Sequence, residues 1–121
     1  MAEYTNEELA SALKVVSSTI TKCEKIQSKF AAGTSQHTLL KNRIKAMYIS
    51  KALLIGESAV SQYTKEELLA AISPVSSIIR KCEKAQEKFE EGSSLHKRFQ
   101  DIIEAMYLSK ALITTKIGKR D

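Results

Sequence analysis

A chain of 121 residues with four glycines, one proline and two cysteines can bury one core and cannot build a disulfide framework, so a single domain over 1–121 is expected. The formal charge of +5 and pI near 9.2 permit an acidic partner without requiring one. No apolar run approaches a membrane span and the opening MAEYTNEELA lacks the charged-then-apolar build of a secretory leader, so no membrane association and a cytoplasmic location with reduced thiols are expected.

The first predicted helix opens at YTNEEL. Thr5 is placed to cap it, Glu8 to reach back to the amide of the cap, and Tyr4 and Leu9 flank the start as a hydrophobic staple. Leu9, Val16, Cys23 and Phe30 then recur every seven residues beside Ala12, Leu13, Ile20 and Ile26, which draws one apolar stripe. Gly33 is the expected stop, because the residue past a last turn often takes a positive φ. Thr34 and Ser35 restart the chain into a second helix with a stripe of Leu40, Ile44, Met47 and Leu54. Tyr48, Ile49, Leu53 and Ile55 make that helix more apolar than one buried face needs.

After a linker at Ser58–Gln62 the pattern starts again. Tyr4–Glu57 aligns with Tyr63–Lys116 at an offset of 59 residues, without a gap and with about half the positions identical. Thr64 and Glu67 repeat the cap; Leu68, Val75, Cys82 and Phe89 repeat the first stripe; Gly92 repeats the stop. Phe99, Ile103, Met106 and Ile113 repeat the second stripe, which Tyr107, Leu108 and Leu112 widen. Pro74 stands where the first copy has Val15, so a kink is expected in the third helix alone. The reading is an all-α antiparallel up-down-up-down four-helix bundle of two tandem hairpins with a pseudo-twofold axis. Its parts are repeat one over 4–57, linker 58–62, repeat two over 63–116 and a short basic tail over 117–121.

The duplicated polar residues carry several chemistries to weigh. Cys23, Cys82, His37 and His96 are a zinc-type ligand set, but each cysteine lies roughly 12 Å along its helix from the loop that holds the histidine, too far for one ion. His37 and His96 start helices whose free amides could take an anion, though a glycine followed by Ser or Thr is what any tight turn between helices uses. Neither histidine has a catalytic partner fixed by local spacing, so no catalytic, cofactor or metal site is assigned and no enzyme is expected. Gln27 and Gln86 are expected to set hairpin register, and Lys51 and Lys110, on an apolar stripe, to pack their stems and reach outward with their heads.

The expected function is a non-enzymatic protein-interaction or regulatory module. It would bind another protein, or a second copy as a homodimer, through Tyr48, Ile49, Leu53, Tyr107, Leu108 and Leu112. The alternative is nucleic acid or an anionic ligand on a basic face of Lys22, Lys25, Lys29, Lys41, Arg43 and Lys45. That face is lopsided, because Lys41, Arg43 and Lys45 become Gln100, Ile102 and Glu104 in the second copy.

Overall fold

Capping chemistry starts the helices where the sequence predicts. In the computed structural model, which describes residues 4–56, 59 and 61–119, the Glu8 amide donates to Thr5 Oγ1 at 3.0 Å and the Thr5 amide donates to Glu8 Oε1 at 2.9 Å. Thr64 and Glu67 make the same pair of bonds at 2.9 and 3.1 Å. From these caps run α1 (Asn6–Gln27) and α3 (Lys65–Gln86); α2 (Ser35–Ile55) and α4 (Ser94–Lys119) follow them, and no strand occurs among the described residues. Glu57, Ser58 and Val60 around the expected linker, and Arg120 and Asp121 of the expected tail, lie outside the described residues.

The first helix of each half stops earlier than the glycines suggest. α1 ends at Gln27 and α3 at Gln86, and the amides of Lys29, Phe30, Lys88 and Phe89 turn back three residues instead of four, tightening the chain into a turn. Gly33 and Gly92 come after that turn, at φ +93° and +91°. Phe30, expected on the buried stripe, is consequently exposed in that turn, and Ile26, in the last turn of α1, is exposed as well. Phe89 is half-buried because Phe99 stacks on it with ring centroids 5.8 Å apart, whereas the first half has Leu40 at the matching position. α3 continues through Pro74 without a break in its assignment.

Packing gives the helices unequal places. α1 lies against α2 and α4, α3 lies against the same two, and α2 also meets α4, while no Cα atom of α1 comes within 8 Å of one in α3. The second helices are thus the central pair, which is where their surplus of apolar residues goes. Ala46, Met47, Ile49 and Ser50 are all buried, leaving only Tyr48 of that turn exposed; Ala105, Met106 and Ser109 are buried on α4 with Tyr107 exposed between them. Val16, Leu68, Val75 and Ile113 complete the inaccessible centre of the core. Each such side chain contributes about 1.5–3 kcal/mol relative to exposure.

Two side chains of α2 show how α3 lies on it. Lys45 Nζ reaches Glu67 at 2.8 Å and Arg43 Nη2 donates to Ser77 Oγ at 3.3 Å. Residues two apart on a helix point about 200° apart, and their partners are separated by about 15 Å along α3. Both contacts join α2 to α3, at points ten residues apart on α3.

Candidate functional site

The hairpin turns position the polar residues first. Thr34 Oγ1 and Ser93 Oγ each accept from the amide of the following histidine, His37 or His96, at 3.2 Å, so the amide proposed for an anion is already used by the cap. Gln86 Nε2 donates to the carbonyl of His96 at 3.1 Å and to Gln100 Oε1 at 2.8 Å, and Gln27 Nε2 approaches the carbonyl of His37 at 3.5 Å. These glutamines tie the end of one helix to the start of the next, the register role expected of them. Lys51 and Lys110 are half-buried.

The six residues expected to form an apolar interaction surface separate. Ile49 is fully buried and belongs to the core, which corrects its place on a surface; it lies where the central helix is covered by its neighbours. Leu53 and Leu108 are partly buried against the same core, and Leu112 is half-buried. Only Tyr48 and Tyr107 are exposed, and both are tethered: Tyr48 Oη donates to Glu24 Oε2 at 3.0 Å and Tyr107 Oη donates to Glu83 Oε2 at 3.1 Å. The accepting carboxylate holds each phenol protonated to higher pH than usual.

Tyr107 and Leu108 line a cleft of about 730 Å³. Its walls are the chain from Tyr4 into the start of α1 at Ala12, the last turn of α3 at Glu83 and Gln86, and α4 from Gln100 to Leu108. Ala12, Ile103, Ala105 and Leu108 contribute the apolar lining, and Glu7, Glu8, Glu83, Asp101 and Glu104 the charged one, with no lysine or arginine among the described residues. A second groove, about 380 Å³ between α2 and α3, includes Asn42, Lys45, Ala46, Ile49 and Glu67, which sit 59 residues from Asp101, Glu104, Ala105, Leu108 and Glu8. There the Lys45–Glu67 ion pair joins one wall to the other.

The expected basic face is also divided. Lys22, Lys25, Lys29 and Lys41 are exposed, but Lys45 is paired with Glu67, and Arg43 is half-buried with its guanidinium turned toward Ser77, which corrects its place on an open basic face. Its Nε is buried without a partner in the protein. The guanidinium lies close enough to both cysteines to oppose the rise in thiol pKa that burial causes at Cys23 and Cys82. Those cysteines sit on α1 and α3, whose Cα atoms nowhere come within 8 Å, beyond the reach of a disulfide.

Sequence reasoning missed the acidic lining. Its signal was in plain view at Lys41/Gln100, Asn42/Asp101 and Lys45/Glu104, but only the fold brings Glu7 and Glu8 across from that segment of α4. Among the described residues no group of three or more His, Cys, Asp or Glu side chains is placed to hold a metal ion, and no helix is long and apolar enough to cross a membrane. No protein-family model matches the chain, and no curated protein or solved structure matches it either.

Proposed function

We propose that this chain is a non-enzymatic helical interaction or regulatory module whose partner is another protein. The observation that carries the reading is the cleft between α1, α3 and α4, where Tyr107 and Leu108 meet polar side chains from three helices in a volume suited to part of a partner's surface. The full architecture belongs to the proposal: two hairpins related by a pseudo-twofold axis, with chain direction alternating up-down-up-down and the hairpins crossing. Bonds that recur 59 residues apart support it, Tyr48 to Glu24 with Tyr107 to Glu83, and Ser50 to Ala46 with Ser109 to Ala105. Two free thiols on helices with no Cα atoms within 8 Å of one another fit a reducing, cytoplasmic setting.

Tyr107→Ala tests the reading, since Tyr107 is exposed and its loss leaves the core intact. Light scattering and affinity capture of the full chain are expected to show a polypeptide, or a second copy, held by the wild type and weakened in the variant. A strict monomer that retains only RNA or DNA would overturn it. That outcome is the second reading, which rests on Lys22 and Lys25 standing exposed on α1 and Lys29 exposed in the turn that follows it. It predicts an affinity that falls steeply with salt as counterions are released.

A further inference from the structure

We propose that the cleft lined by Glu7, Glu8, Glu83, Asp101 and Glu104 is the docking site for a cationic amphipathic segment of a partner protein, a helix carrying Lys or Arg beside apolar residues. This rests on the interaction-module reading and names the chemistry of the partner.

The comparison within the chain carries it. The positions 59 residues from this lining hold Glu24, Glu66 and Glu67 together with Lys41 and Lys45, three acids against two bases. In the cleft the acids number five and the bases none among the described residues. A single exchange does half of this: Glu104 occupies the place of Lys45, and lines the same cleft as Glu8, the counterpart of the Glu67 that Lys45 bonds. One groove is therefore bridged by its own ion pair, and the other collects like charges on opposite walls. The chain as a whole carries +5, so this negative cleft stands out against a positive remainder and selects for cationic partners.

The internal partners of these carboxylates do not neutralise the cleft. Glu8 accepts from the Thr5 amide, Glu83 from Tyr107 and Glu104 from Gln100, all uncharged donors; among the described residues Asp101 has a cation, Lys97 at 3.4 Å, and that lysine is outside the lining. The spacing of the acids also selects the occupant. No three of them converge as a metal ion needs, so the charge is spread along three helices, as separate ammonium or guanidinium groups of one segment would meet it. The half-buried Leu108 and the exposed ring of Tyr107 give the uncharged side of that segment a surface that a simple polyamine would leave unused.

The test uses the full chain and a fluorescein-labelled amphipathic Leu/Lys helix, followed by anisotropy at low and physiological salt. The controls are the same peptide with Glu in place of Lys, and spermine. The informative variant is Asp101→Asn with Glu104→Lys, which writes the residues of the bridged groove into the open one at two exposed positions. The wild type is expected to bind the Leu/Lys helix and not its Glu form, and the double variant to bind about tenfold more weakly or worse while melting like the wild type. Equal binding by the variant overturns the assignment, and so does spermine binding as tightly as the helix. If the Leu/Lys helix is not bound but a polypeptide or second copy is still captured through Tyr107, this inference falls and the interaction-module reading stands.

Discussion

Lys45 on α2 and Glu67 in the first turn of α3 form an ion pair at 2.8 Å, and the residues 59 positions away, Glu104 and Glu8, are both acids lining one cleft. Two copies of one sequence pattern thus treat the same junction in opposite ways. One carries an ion pair between its walls, and the other carries an acid on each.

The Glu67 carboxyl is held below the usual carboxylate range, first by the hydrogen bond from Lys45 and next by the amide of Thr64. A folded-state pKa below the unfolded one stabilises the fold above the unfolded value, and that contribution is lost as pH falls through the folded value. Lys45→Ala is expected to move the Glu67 pKa upward, with the Thr64 amide keeping part of the depression. Carboxyl-carbon NMR titration checks this, and an unmoved pKa would show that the lysine does not hold the acid.

Glycine substitutions should change sign with position. Gly33 sits at φ +93° with open space where a Cβ would go, so Gly33→Ala carries backbone strain alone, a loss of about 1–2 kcal/mol. Gly118 lies within α4, also in open space, and Gly118→Ala is expected to stabilise by about 0.5–1 kcal/mol. Urea unfolding of the two variants measures both.

Core truncation should separate adjacent leucines. Leu68 is fully buried and Leu69 is 51% exposed, so Leu68→Ala is expected to cost about 2–5 kcal/mol and Leu69→Ala to stay within about 0.5 kcal/mol. Met106→Ala, at an inaccessible position of the central α4, belongs with Leu68→Ala. Comparable midpoints for Leu68→Ala and Leu69→Ala in denaturant would contradict the packing described.

The thiols offer a kinetic and a pH test. Burial raises the pKa of Cys23 and Cys82, and the Arg43 guanidinium lowers it again in part, so Arg43→Met should raise both and slow alkylation further at mildly alkaline pH. A raised folded-state pKa gives stability that is complete below the unfolded thiol value and lost as pH climbs through the folded one. The wild type should accordingly weaken on the alkaline side of the ordinary thiol range. Mass spectrometry of timed alkylation is expected to find Cys82 labelled ahead of the more buried Cys23; faster labelling in Arg43→Met would refute the assigned direction.

Much of this molecule is local and was readable as sequence. Thr5 with Glu8, Thr64 with Glu67, and the glutamines that reach the next helix act over ten residues or fewer, and such contacts form wherever their spacing occurs. The same spacing argument placed Phe30 in a core it does not join, because the helix ended before the stripe did, and Ile26, in the last turn of α1, is exposed as well. The apolar surplus of the second helices left open whether they would sit centrally or offer a patch to a partner, and spacing could not choose between the two. With α2 and α4 inside, Ile49 became core; with α3 packed on α2, Arg43 met Ser77 while Lys45 met Glu67; and with α1 against α4, five acids from three helices came to line one cleft. Those outcomes depend on side chains dozens of residues apart sharing one volume, and only closure of the whole chain on itself selects among the ways its apolar faces could be covered.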